Sequence, residues 1–236
     1  MDSRHMFPGM GDMRHAYAPL SAHLAAHGYT VACMDNRGHG DSSLLFDGYK
    51  YGDEAIAQDF INIALDFGKG CPAVLAGCSF SAGSATIAAG KRPDLVAGII
   101  LLAPFLHNPK GLEDAVAPFS HAGDVRQTLG SFSVGVICQD IMASEEKAAK
   151  RATASRTSLN QGWRWRAFQQ IVKGLDHSVV RPWITKVNAP VLVLMGDKDP
   201  DWPNPMDEAN WVVSNVKDDR SITVQGTGHA PMLECP

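Results

Sequence analysis

The pentapeptide Gly77-Cys78-Ser79-Phe80-Ser81 follows a short apolar run, Ala73 to Ala76, and precedes a helical pattern from about Ser81 to Lys91 that stops before Pro93. Nothing else in the chain restricts the fold as much. A strand that must become a helix within one residue forces that residue into a strained backbone conformation, and only small neighbours two positions before and after leave room for it. Gly77 and Ser81 are that pair. The turn leaves the Ser79 hydroxyl exposed beyond the strand end and aims the Phe80 N–H, at the start of the helix, into the same space. An oxyanion there would be held by that N–H and by the helix dipole.

A sheet to carry the turn is written on both sides of it. Tyr29 to Met34, Ala73 to Ala76, Val96 to Leu102, Val191 to Met195 and Ser221 to Val224 read as strands, separated by helical patterns at Ala16 to Ala26, Ala55 to Phe67, Ser81 to Lys91 and Pro205 to Val216. Ile56, Phe60, Ile63 and Phe67 recur at helical spacing and share one predicted face, as do Tyr17, Leu20 and Leu24. Such alternation is the pattern of an α/β protein with a mostly parallel, doubly wound sheet. From Leu106 to Val187 the strand-like runs give way to amphipathic helical patterns with a basic stretch at Lys147, Lys150 and Arg151. The expected organisation is a discontinuous core, residues 1–105 and 188–236, with residues 106–187 inserted as a helical cap. Trp163, Trp165, Phe168 and Ile171 in that insertion either line a substrate pocket or fasten the cap to the core.

A chain of 236 residues fills one such core with an insertion and is short for two full domains. Hydrophobic residues make up 45% and charged residues 19%, with no run long enough to span a membrane, the composition of a soluble globular protein. The 21 basic and 25 acidic residues, net charge −4, give no electrostatic reason to expect nucleic acid. A small neutral substrate fits better. Cys33, Cys71, Cys78, Cys138 and Cys235 are odd in number, contain no CxxC pair and read as reduced and buried. No secretory pattern opens the chain, so a cytoplasmic location is the default.

A serine hydroxyl is a poor nucleophile at neutral pH and needs a base, oriented by an acid, within hydrogen-bond reach. Both follow strands. After Val191 to Met195 comes Gly196-Asp197-Lys198-Asp199-Pro200-Asp201, and after Ser221 to Val224 comes Gly226-Thr227-Gly228-His229. In a parallel sheet both land at the carboxyl edge, where sites form. Phe7-Pro8-Gly9-Met10-Gly11-Asp12 has the glycines that let backbone N–H groups face a ligand, and Met10 N–H is the candidate second oxyanion donor. No His/Cys cluster has metal-ligand spacing, and no metal or organic cofactor is called for.

At these residues the chain resembles the α/β-hydrolase superfamily, in particular esterases, lipases and related hydrolases with a helical cap, and serine, acid, histidine is that family's chain order. The resemblance implies Ser79 as nucleophile, His229 as base and, from the family's Gly-x-x-Asp spacing, Asp199 ahead of Asp197 and Asp201 as the orienting acid. It implies acyl transfer to water, with Met10 and Phe80 N–H groups holding the oxyanion. Relatives that dehalogenate alkanes or open epoxides carry aspartate where Ser79 stands. Phe7 to Asp12 looks like the family's oxyanion loop with Pro8 in place of its histidine, and Asp35-Asn36-Arg37-Gly38-His39-Gly40-Asp41-Ser42-Ser43 looks like its Asp-x-Arg-Gly-x-Gly-x-Ser turn, which makes His39 and Asp41 loop-holding residues. Ser81 stands where the family has glycine. Family members carry further strands before the oxyanion loop and a helix after the histidine; their apparent lack here would leave apolar surface open to self-association. Carbon–carbon bond hydrolases, thioesterases and acyltransferases share the same triad, and some relatives bind ligands for signalling with little turnover.

Overall fold

A parallel strand pair can be joined only by a crossover, so the alternation of strand and helix should build a sheet with helices on its faces. The computed structural model describes residues 3–42, 51–108, 145–161 and 163–235. Strands β1 (Ser3–Phe7), β2 (Thr30–Cys33), β3 (Ala73–Cys78), β4 (Val96–Leu102), β5 (Val191–Gly196) and β6 (Asp219–Val224) form one sheet in the order β2-β1-β3-β4-β5-β6, with every pairing parallel. The helices are α1 (Ala18–Ala26), α2 (Asp53–Gly68), α3 (Phe80–Lys91), α4 (Glu145–Leu159), α5 (Arg164–Lys173), α6 (Arg181–Ile184), α7 (Pro205–Ser214) and α8 (Pro231–Glu234). No helix among the described residues is long and apolar enough to cross a membrane.

Period-two alternation sorts the strand side chains onto two cores. On one face Phe7, Leu75, Ile99, Leu101, Val191, Val193 and Met195 pack with Ile56 and Phe60 of α2, Ala209 and Val212 of α7, and α3. Helix α3 is buried from Phe80 through Ala89, and its Ala, Gly and Ser residues let it lie close between sheet and α2. On the other face Met6, Ala76, Cys78 and Leu102 meet Ala16, Tyr17, Ala148 of α4 and Met232 of α8. Strand order reverses between β1 and β3, and a ligand site is expected beyond the carboxyl ends of the strands at such a switch point.

Strand β1 is not among the expected strands, because Ser3, Arg4 and His5 hide the apolar pattern; Ser3 and His5 are nevertheless buried. Phe67, placed by periodicity on the buried face of α2, is 57% exposed, its ring 6.4 Å from that of His5 in a T-shaped arrangement. Its helix packs instead through Ile56, Ala57, Phe60, Ile61, Ala64 and Gly68. The cysteines divide: Cys78 is buried, Cys33 half-buried, and Cys71 and Cys235 are exposed, contrary to the expectation of burial. Cys138, Ser43 and residues 109–144 of the expected cap lie outside the described residues.

Candidate active site

The turn between β3 and α3 is as tight as its sequence demands. Ser79 sits at φ 54° and ψ −123°, a conformation open to few non-glycine residues. A Cβ on Gly77 would lie 2.2 Å from the Ser81 carbonyl oxygen, so glycine is obligatory there. The strain is held by neighbours: Ser79 N–H donates to Leu102 O at 2.9 Å, and Ser79 O accepts from Ala82 N–H at 2.9 Å and from Phe105 N–H at 3.4 Å. Ser79 itself is only half-buried, between the buried Cys78 and Phe80. Burial pushes the Cys78 thiol up to about 12, so the adjacent sulfur stays protonated and does not compete as a nucleophile.

The Phe7–Asp12 loop leaves the end of β1 and passes over Ser79; a Cβ on Gly9 would lie 3.3 Å from Ser79 Cβ and 3.9 Å from its Oγ. The loop is pinned at both ends. Pro8 O accepts from Ser81 Oγ at 2.6 Å and from Asn36 Nδ2 at 2.9 Å, while Gly11 N–H donates to His39 Nε2 at 3.1 Å. Burial holds His39 below the ordinary histidine value, which keeps the ring neutral and Nε2 able to accept. Met10 N–H, between these anchors, and Phe80 N–H, at the start of α3, make no hydrogen bond among the described residues. The turn after β2 is equally braced: Asp35 accepts from Arg14 N–H, the Arg14 guanidinium and Asp41 N–H, and Asp41 also pairs with Arg14.

The acid and the imidazole arrive from β5 and β6. His229 Nδ1 lies 2.7 Å from Asp199 Oδ2, and both side chains are buried. Asp197 turns away to accept from Gly226 N–H at 2.7 Å, whereas Asp201, the least favoured acid by spacing, puts its Oδ2 3.3 Å from the same Nδ1. Burial alone would lower the His229 pKa; the attraction of Asp201 and Asp199 and the hydrogen bond to Asp199 outweigh it and push the ring up to about 9. Asp201 is itself held above the ordinary carboxyl value, by desolvation first and by repulsion from Asp199. Gly196 allows the two loops to close on each other, since a Cβ there would lie 2.1 Å from Gly228 O. His229 meets the elbow through two contacts: its carbonyl lies 4.0 Å from Cys78 Sγ, and its ring meets Phe105 edge-on at 5.8 Å, the residue whose N–H bonds Ser79 O. Ser79, Asp199 and His229 thus come from three strand ends to one rim of the sheet.

Of the aromatic residues nominated in the insertion, Phe168 approaches the Gly11 segment, 3.3 Å from where a Gly11 Cβ would be, and Trp165 stacks on Phe168 at 5.4 Å. Trp163 is 47% exposed and packs under Arg166. Sequence reasoning missed Phe105, whose ring also meets that of Trp202 at a tilt, 4.7 Å between centroids, and the buried ion pair between Arg151 of α4 and Asp12 of the loop. Only a contact across 139 positions reveals that pair.

Asp199, Asp201 and His229 offer three potential ligand atoms within 4.8 Å of one another. The imidazole nitrogen that faces both carboxylates is the Nδ1 already bonded to Asp199, so a cation between them would have to displace the proton that joins them. The geometry fits a carboxylate–imidazole pair beside a strained serine.

Known proteins share the fold and much of the chain. The chain is 25% identical over 235 residues to the pimeloyl-[acyl-carrier protein] methyl ester esterase of Neisseria meningitidis serogroup B, covering 97% of this chain and 86% of the relative. Among solved structures, a thermophilic esterase from Thermogutta terrifontis superposes with a TM-score of 0.80 at 19% identity, over 99% of this chain and 85% of that one. The enol-lactonase from Burkholderia xenovorans LB400 does so with a TM-score of 0.80 at 17% identity, over 99% and 86%. The profile of the serine aminopeptidase S33 family matches residues 5–236, nearly the whole chain, and the protein therefore belongs to that family of α/β-hydrolases and is a hydrolytic enzyme.

Proposed function

We propose that the protein hydrolyses carboxylic esters through a Ser79–His229–Asp199 triad and an acyl-enzyme intermediate. The observation that carries the reading is the 2.7 Å His229–Asp199 pair beside a serine at φ 54° on a strand-to-helix turn. Asp199 fixes the tautomer with the proton on Nδ1, which leaves Nε2 as the base. Ser79 Oγ attacks the ester carbonyl and its proton passes to His229 Nε2. The carbonyl oxygen becomes an oxyanion held by Met10 and Phe80 N–H, and the leaving alcohol takes the proton back from His229. Water repeats the sequence and frees the acid. Residues 1–105 and 188–236 act as the core and residues 106–187 as a cap, in which Phe168, beside Gly11, Trp165, stacked on it, and Trp163 contribute to substrate binding. The substrate is a small acyl compound, and the curated relative's methyl ester favours esters over amides.

The test is a panel of p-nitrophenyl esters, lactones, thioesters and aminoacyl p-nitroanilides assayed with the wild type and Ser79→Ala. Esters should turn over with a burst, and a fluorophosphonate should label the wild type but not Ser79→Ala. Labelling that survives the substitution refutes Ser79 as nucleophile; preferred cleavage of the anilides or thioesters refutes the substrate class. Tight ligand binding with negligible turnover on every arm would favour the signalling alternative.

A further inference from the structure

Ser81 stands where the family has glycine, is fully buried, and spends its hydroxyl on a loop 73 residues away. Its short bond to Pro8 O, 2.6 Å, identifies Pro8 O as the acceptor of the hydroxyl proton. Ser81 Oγ can then accept from Asn36 Nδ2 at 3.3 Å, and Asn36 Nδ2 also reaches Pro8 O at 2.9 Å. Three segments, the turn after β2, the loop after β1 and the nucleophile turn, are thereby tied at one carbonyl whose two lone pairs are both used. The choice of carbonyl matters. Proline fixes φ, so the direction in which the loop leaves Pro8 rests on ψ, which orients the Pro8–Gly9 peptide plane; clamping Pro8 O clamps that plane. Gly9, directly over Ser79, has no Cβ to resist rotation, and the next peptide carries Met10 N–H.

We propose that Ser81 is a positioning residue for the oxyanion loop: its hydroxyl ties the Pro8 carbonyl to the nucleophile turn and so holds Met10 N–H at a fixed place relative to Ser79 Oγ. The inference rests on the ester-hydrolase reading above. With glycine or alanine at this position Pro8 O keeps only the Asn36 bond, and the peptide plane gains freedom at the point where an oxyanion donor must be held to a fraction of an ångström. A bond that matters in this way acts on the tetrahedral state and leaves ground-state binding alone.

The experiment compares wild type, Ser81→Ala and Ser81→Gly with a p-nitrophenyl ester, each rate divided by the active sites titrated with a fluorophosphonate. In both variants kcat per titrated site should fall about tenfold to a hundredfold while KM stays within about twofold. The Ki of a trifluoromethyl ketone, which forms an oxyanion on Ser79, should rise by the same factor as kcat/KM falls. A merely structural serine would lower the melting temperature and the number of titratable sites but leave kcat per site and the ketone's Ki unchanged, and that result overturns the proposal. Ser81→Gly keeps the test decisive if Ser81→Ala does not fold, because glycine is the family's own residue at this turn. Ser79→Ala separates the two claims: persistence of labelling there defeats the hydrolase reading, whereas its loss alongside unaltered Ser81 variants defeats the clamp alone.

Discussion

Asp201→Asn tests whether the second carboxylate sets the working pH of the site. Asp201 Oδ2 lies 3.3 Å from His229 Nδ1, a separation at which two unit charges attract by about 1 kcal/mol in bulk water and about 5 kcal/mol at an effective dielectric near 20. The Asp201 side chain is 36% exposed, which favours the weak end of that range, on the order of 1.5 kcal/mol, or about one pH unit at roughly 1.4 kcal/mol per unit. With His229 held up to about 9, the free base that accepts the Ser79 proton in the proposed mechanism is a minor species at neutral pH. The wild-type kcat/KM should therefore climb about tenfold per unit from neutral pH to a plateau above about 9. In Asp201→Asn the acidic limb should move down by about one unit, so that activity near pH 7 rises roughly tenfold while the alkaline plateau stays. The stability sign comes from the same raised value. The attraction stabilises the folded chain fully below the ordinary 6.5 and is lost as pH rises through about 9, and the variant should lose part of that dependence. Asp199→Asn is the control, and should lose activity at every pH because it spoils the tautomer. The assay is kcat/KM on a neutral ester across the range, corrected for spontaneous hydrolysis. An acidic limb that stays put or moves upward in Asp201→Asn refutes the reasoning.

Buried groups elsewhere give three more expected outcomes. His5 is buried on β1, neither ring nitrogen is hydrogen-bonded among the described residues, and burial lowers its pKa; the unfolded chain therefore binds a proton more readily, and stability should fall as pH drops below about 6.5. His5→Phe should flatten part of that loss and add on the order of 1 kcal/mol at neutral pH, read from urea midpoints; a steeper acid loss would count against it. Arg151→Met strands Asp12 under the oxyanion loop and should cost roughly 3 kcal/mol, with Asp12→Asn added in the same chain recovering part of it, since an uncompensated buried charge is the larger penalty; a double variant no more stable than Arg151→Met contradicts this. Gly196→Ala drives a Cβ into Gly228 O and should reduce kcat at least about a hundredfold by displacing His229, measured per folded molecule; near-normal kcat would show that the His229 loop is not held by that contact.

The features legible in the sequence are those that local chemistry dictates. Gly77 reveals the turn because no side chain fits there, with Ser79 at its tip, and Asp199 and His229 stand out as candidates by coming directly after strands. Strand β1 stays hidden because Ser3, Arg4 and His5 break the apolar pattern, although parallel pairing on both sides makes it an interior strand. Phe67 misleads for the opposite reason: helical spacing places it on an apolar face, but at the last turn of α2 it is left exposed. The clamp on Pro8, the Arg151–Asp12 pair and the approach of Asp201 to His229 join residues 73, 139 and 28 positions apart, and no periodicity encodes such distances. For Asp201 the consequence is functional. Spacing ranks it below Asp199 because spacing reports only which loop carries a carboxylate; the charge felt by the imidazole depends on every carboxylate that the loop brings within reach. Candidate residues of a site can thus be nominated from sequence while the pH at which they would work cannot, because the first follows from order along the chain and the second from distances across it.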